Sequence, residues 1–202
     1  MKNLLPLAIL SIGLLFSLSG CIEDNNVQSL NSTYSKLELL ELRAQKAPLD
    51  SINSVRERLK GAKEDLIWLG ADSNVVFVKS DALVIEELSK ASRYLKDAPN
   101  RFIGVFNEIT RCKSQISGLI GLIKSGAEID ALGDSIDNTY IKHNTVIEIE
   151  AVIKLEKVLT ETLKLSRLGL ESDSASWSDI DSLLLVKRGQ WAQGIANVGE
   201  EL

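Results

Sequence analysis

The side chains that ordinarily do chemistry are few in this 202-residue chain, and their spacing serves none of the common mechanisms. His143 is the only histidine. That excludes multi-histidine zinc sites, His-Glu-x-x-His proteases and di-iron bundles with paired Glu-x-x-His motifs. A Ser-His-Asp triad would have to use His143, and no Gly-x-Ser-x-Gly elbow offers the serine. Flanked by Lys142 and Asn144 at the expected start of a helix, His143 reads as a solvated or capping residue. Cys112 is a candidate thiol nucleophile with His143 as base, but it stands amid an apolar helical stripe. A thiol among Ile and Leu stays protonated and inert, so packing is its expected role, with an intermolecular disulfide as the exception. Asp130, Asp134, Asp137 and Asn138 make an acidic turn without the Asp-x-Asp-x-Asp-Gly spacing of a calcium loop, and read as a helix-capping cluster. Neither a phosphate loop nor a dinucleotide fingerprint occurs, and Gly118-x-x-Gly121 reads as a helix-packing contact. Trp68, Trp177 and Trp191 are candidates for a ligand cleft. Trp177 and Trp191 share a helix face, however, and core or interface packing accounts for them. No catalytic residue, metal or cofactor is expected, and the chain reads as a non-enzyme.

One cysteine carries a specific signal. Lys2 is the only charge before residue 23, and the chain from Leu4 to Ser19 is otherwise apolar or small. A membrane-spanning helix needs about 20 apolar residues. This run is shorter, carries Pro6 and Gly13 and ends in small residues, which is the build of a secretory signal. Its end, Leu18-Ser19-Gly20-Cys21, resembles the lipobox of bacterial lipoproteins at all four positions. The resemblance implies cleavage between Gly20 and Cys21, a diacylglycerol on the Cys21 thiol and an acylated new amino terminus. Burial of acyl chains contributes about 0.8 kcal/mol per CH₂, so two or more chains anchor stably. Of 23 basic residues, cleavage removes Lys2, leaving 22 against 28 acidic and a net charge of −6. So acidic a body gains no adhesion to an anionic membrane, and the bilayer is reached through acylated Cys21. In two-membrane bacteria of the enteric type, Asp directly after the lipidated Cys retains a lipoprotein in the inner membrane. Ile22 stands there, which implies the outer membrane, on its periplasmic face or its surface. With a single membrane, the outer face of the cytoplasmic membrane is implied. The resemblance covers residues 1–21 and implies nothing about the remainder.

Composition bounds the rest. With 45% hydrophobic and 25% charged residues the chain is globular rather than disordered. A pI near 5.1 speaks against a primary nucleic-acid binder. Only two cysteines occur. Lipidation of Cys21 leaves Cys112 without an intrachain partner, so no disulfide framework is expected. The organisation expected is a signal peptide over 1–20, a lipidated Cys and polar tether over 21–33, and one α-helical domain over 34–202.

Helical periodicity dominates that domain. Leu30, Tyr34, Leu37, Leu40 and Ala44 precede Pro48. Ile52, Val55, Leu59, Ala62, Leu66 and Leu69 follow it, with Asp50 or Ser51 as cap and an end near Gly70. The stretch Val75-Val76-Phe77-Val78 is rich in β-branched residues, and residues 74–79 read as strand or helix. Helix is favoured, because a lone strand has no partner and Phe77, Val84, Leu88, Ala91 and Leu95 share a face. A fourth helix, capped by Asn100, puts Phe102, Val105, Phe106, Ile109, Cys112, Ile116, Leu119, Ile120 and Ile123 on one side and closes at Gly126. Residues 127–138 read as a short helix or loop turning at Gly133-Asp134. A long helix is expected from Asn138 to Leu168, ended by Gly169. After a Ser-rich link over 172–176, a last helix opens at a Ser178-x-x-Asp181 box, with Trp177, Ile180, Leu184, Trp191, Ile195 and Val198 on its face. The fold class expected is all-α, a bundle of five or six helices.

The 138–168 helix is apolar on two sides. Ile141, Ile149, Val152, Leu155, Leu159 and Leu163 form one, and Ile147, Val158 and Leu165 the other, with Glu150, Lys154, Lys157 and Glu161 between. Such a helix is central in a bundle or buries one side against another chain. Two functions follow as expectations. One is a non-catalytic interaction or assembly module on a lipid anchor, docking an envelope protein through Ile147, Val158 and Leu165. The other is a bundle holding a small apolar ligand, for which a 5% aromatic content is low.

Overall fold

The computed structural model describes residues 25–130 and 132–200, with side chains described to residue 196. The expected signal peptide, the Gly20–Cys21 cleavage site and residues 22–24 lie outside the described residues, as does the side chain of Val198. The protein is all-α. Its described residues form five helices: α1 Asn25–Gln45, α2 Leu49–Gly70, α3 Lys79–Leu95, α4 Ala98–Ser125 and α5 Asn138–Glu200. Among them there is no strand, only an isolated bridge between Ile129 and Ser135.

α5 has 63 residues and is the spine of a helical bundle. At roughly 1.5 Å per residue it extends about 95 Å. α1 and α2 lie along it end to end and parallel, because the pairings Lys36–Glu156, Arg43–Thr160, Arg58–Asp173 and Asp65–Arg188 ascend together in both strands. α3 and α4 return antiparallel. Val76 meets Gln190, Asp81 meets Lys187, Glu87 meets Ser172 and Leu95 abuts Gly169, while Val105 lies beside Leu155. The result is a three-stranded rod in which two strands are interrupted. One break is the turn at Lys46–Pro48. The other is at Lys96–Asp97, just before Pro99, which occupies the first turn of α4, where its missing N–H is harmless.

The buried positions explain the rod. In α3 and α4 they are Leu88, Ala91, Leu95, Ala98, Phe102, Val105, Ile109, Cys112, Ile116 and Leu119, alternating steps of three and four straight through the break. In α5 the row runs through Thr145, Glu148, Val152, Leu155, Leu159, Thr162, Ser166, Gly169, Asp173, Ser176, Ile180, Leu183 and Lys187, with Leu184 and Gly194 buried besides. Both rows repeat every 3.5 residues, the period that winds helices into a left-handed coiled coil.

Several expectations need correction against this register. Residues 25–33 are not tether but the start of α1, because Val27, Leu30 and Thr33 are buried and continue its stripe. Residues 75–78 are neither helix nor strand. The Val76 N–H donates to Gln190 Oε1 (3.1 Å), and the Val76 carbonyl accepts from Lys187 Nζ (2.5 Å), so α5 side chains replace the hydrogen bonds of a helix. The helices expected over 138–168 and from Ser178 onwards are one. Gly169 lies buried inside it, and the Ser-rich link is a seam in which the Ser176 hydroxyl donates to the Ser172 carbonyl at 2.8 Å. The expected caps Asp50, Ser51 and Asn100 lie inside α2 and α4, while Gly126 closes α4 with φ 64°. Ile195, assigned to the core face, is exposed.

Candidate functional site

On the outer side of the rod, α4 and α5 frame a groove of about 540 Å³. Gly104, Val105, Ala151 and Leu155 line it, together with Ile147 and Val158, whose residues are 44% and 51% exposed. Since α4 runs against α5, Arg101 and Lys154 fall toward one end, while Glu108 and Glu150 fall toward the other. The structure therefore brings Ile147 and Val158 together on an accessible face. Leu165 is half-buried and outside the groove.

Along the α4–α5 seam beside this groove, half-exposed Arg111 and Glu108 meet buried Cys112 and Glu148, a charged cluster that an apolar reading of the sequence misses. Cys112 is fully buried. The Arg111 guanidinium donates toward its Sγ (3.3 Å), and the thiol points to Glu108 Oε1 (3.7 Å). Burial pushes the thiol up to about 11, so it stays protonated. Glu148 sits in the same layer. Burial raises its carboxyl above the ordinary value, the Arg111 charge opposes that and the Glu108 charge adds to it. Glu108 goes the other way, lowered chiefly by its hydrogen bond from Arg111. Glu148 Oε2 has no hydrogen-bond partner among the described residues. His143 does not join Cys112. It is exposed near the start of α5, beside Asn138, Thr139, Lys142 and Val146.

The remaining candidates resolve into structural roles. Asp130 Oδ1 accepts the N–H groups of Leu132 (2.8 Å) and Asp134 (2.9 Å), and its Oδ2 accepts from the Tyr140 hydroxyl (3.1 Å). Asp137 Oδ1 accepts the Tyr140 N–H at 2.8 Å. These carboxylates tie the α4–α5 turn, and no metal-binding group of three or more His, Cys, Asp or Glu occurs among the described residues. Gly118 and Gly121 are not packing contacts, since a Cβ on either would meet nothing within 4 Å. Trp68 and Trp191 pack on each other with centroids 4.7 Å apart, joining α2 to α5. Trp177 lies under the Arg58 guanidinium at 3.9 Å, and Arg58 pairs with buried Asp173 at 2.5 Å. Near the Trp68 end, a surface groove of about 410 Å³ between α2 and α3 is lined by apolar Leu66, Ile67, Phe77, Ile85 and Leu88.

No helix among the described residues is long and apolar enough to cross a membrane. Comparison with protein-family models, with curated proteins and with solved structures found no match.

Proposed function

We propose that the protein is a lipid-anchored bacterial envelope lipoprotein whose helical rod is a non-catalytic interaction or assembly module. The observation that carries this reading is the accessible apolar face at Ile147 and Val158, on a chain whose sequence offers a lipidation signal. The geometry supports it further. Residues 22–24 separate Cys21 from the first turn of α1, a span of at most about 14 Å. The start of α1, the α4–α5 turn and the start of α5 share one end of the rod, so an anchor at Cys21 holds that end at the bilayer. The groove then lies within about 30 Å of the anchored end, on the outer membrane where two membranes exist. Replacing Cys21 by Ala is expected to release the protein from membranes or leave it unprocessed. Unchanged lipid labelling and fractionation would overturn the anchor. Val158→Asp is expected to abolish in-cell crosslinks through this face while the melting temperature stays put, because Val158 is exposed. Crosslinks that survive it count against the module.

A second reading rests on the apolar α2–α3 groove, whose size suits a small apolar ligand. Native mass spectrometry of gently extracted protein is its test, and the absence of a co-purifying small molecule argues against it.

A further inference from the structure

The α2–α3 groove continues past its apolar wall. Lys63 lines it together with Leu66, Ile67, Phe77, Ile85 and buried Leu88. Lys63 also lines a second cavity of about 230 Å³, formed with Arg56, Lys60, Glu57 and Glu64 on α2 and with Ser92 and Lys96 on α3. From the second cavity to the first, residue numbers rise along α2 and fall along α3, as they must between antiparallel helices. The two cavities are therefore consecutive stretches of one groove that meet at Lys63, each about 10 Å long by the helical rise.

The stretches differ in chemistry. One has an apolar lining, with Ile67 left 74% exposed at its edge. The other holds four cations against Glu57 and Glu64, on a chain whose net charge is −5. Lys60 lies 4.0 Å from Glu64, which shares its charge. Arg56 and Lys63 are both half-buried and stand two turns apart on the same side of α2. Neither makes an ion pair among the described residues, and nor does Lys96. A half-buried cation without a counter-ion is partly dehydrated at no gain. A carboxylate between Arg56 and Lys63 gives both a charge-assisted hydrogen bond. An apolar trough leading into such a pair is complementary to a molecule with an apolar chain and one anionic end.

We propose that the α2–α3 groove binds a single-chain anionic amphiphile of the fatty-acid class. Its chain lies along Leu66, Ile67, Phe77 and Ile85, and its carboxylate sits between Arg56 and Lys63. The proposal rests on reading this groove as a small-ligand site, and it adds the ligand's charge and orientation. At about 410 Å³ the apolar stretch is near the lower end of small-molecule pockets, a size for one chain rather than two.

For the test, full-length lipidated protein in phosphatidylcholine vesicles is photolabelled with decanoic acid carrying a diazirine at its tail. Adducts are mapped by mass spectrometry of peptides. Saturable labelling is expected at Ile67, Phe77 or Ile85. Decanol with the same diazirine is expected to need roughly tenfold more probe, because hydrogen bonds to a charged group are lost. The acid on Arg56→Gln/Lys63→Gln is expected to show the same roughly tenfold loss. Gln is a good helix former and neither cation holds a partner, so this variant should melt with the parent. Lys60→Gln, whose charge Glu64 already shares, should label nearly as the parent does. Equal labelling by acid and alcohol, unchanged in Arg56→Gln/Lys63→Gln, leaves a groove for apolar ligands and overturns the anionic one. Tail adducts gathered at Arg56 and Lys96 overturn the orientation. Absence of saturable labelling between α2 and α3 by either probe overturns both the proposal and the small-ligand reading beneath it.

Discussion

Lys187 lies in the α5 seam with its side chain only 4% exposed, and its ammonium is 2.6 Å from Asp81 Oδ2, a side chain 13% exposed. The Val76 carbonyl at 2.5 Å and the Phe77 ring at 4.9 Å complete its surroundings. Asp81→Asn isolates the charge with little else changed, because the amide oxygen can still accept the Val78 N–H that starts α3. Removing one partner of a buried pair costs about 3–5 kcal/mol. The slight exposure of Asp81 places this case at the low end, near 3 kcal/mol. At about 2–4 °C per kcal/mol for a chain of this size, the melting temperature is expected to fall by about 6–12 °C. Lys187→Met removes the need for a partner and should cost less, so the double variant Asp81→Asn/Lys187→Met is expected to melt above Asp81→Asn alone. Circular-dichroism melts at 222 nm give all four values of the cycle. The hydrogen bond from Lys187 holds the Asp81 carboxyl below its ordinary 3.8, against the effect of burial and with help from the Val78 N–H. A carboxyl lowered on folding stabilises above its unfolded value, and that contribution is lost as pH falls through the folded one. The gap between parent and Asp81→Asn should therefore persist at neutral pH and close only in acid below 3.8. An Asp81→Asn protein that melts with the parent at pH 7, or a Lys187→Met protein that is hurt as badly, refutes the reasoning.

Two further substitutions follow from the seam. Glu148→Gln is expected to raise the melting temperature at pH 7. Burial lifts the folded carboxyl above 4.5, so its ionised form destabilises at neutral pH, and the gain should vanish as pH falls toward 4.5 in paired melts. Gly169→Ala places a Cβ 2.5 Å from Leu95 Cγ and 2.6 Å from its Cδ2. Overpacking of about 1–3 kcal/mol should outweigh the roughly 1 kcal/mol that Ala contributes to a helix interior, and the protein should melt lower. Gly118→Ala, with open space around it, should melt higher by the same measurement.

How much of this was legible depends on what the 3.5-residue seam is made of. In α4 the seam is Phe102, Val105, Ile109, Cys112, Ile116 and Leu119, so apolar periodicity finds the whole helix and the inert thiol within it. Ile147 and Val158 were equally readable, because apolar residues opposite a core face stand out even where nothing covers them. Leu165 has the same signature but is half-buried, which only the packed neighbours decide. Farther along α5 the seam turns to Thr162, Ser166, Gly169, Asp173 and Ser176, and hydrophobicity then reports a helix end and a linker. The alternation of threes and fours continues there without a missed step, but its meaning depends on partners distant in sequence. Arg58, 115 residues before Asp173, is what permits that carboxylate in the seam.

The small, polar stretch of α5 also has a place in the rod. The α1–α2 break at Lys46–Pro48 falls between Arg43, which reaches Thr160, and Arg58, which reaches Asp173. The α3–α4 break at Lys96–Asp97 follows Leu95, which packs on Gly169. Both interruptions thus lie opposite roughly the same two turns of α5, at the level of Thr162 to Gly169. Small residues let the flanking strands close in there, and Ala44, Ala91 and Ala98 near the two breaks are buried. The Ser166 hydroxyl donates to the Thr162 carbonyl at 2.8 Å, so a polar side chain is satisfied without leaving the helix. Had residues 169–176 been a linker, all three strands would have broken within a few turns of one another. A continuous α5 instead splints the two interruptions, which is why its helix persists where its hydrophobicity fails.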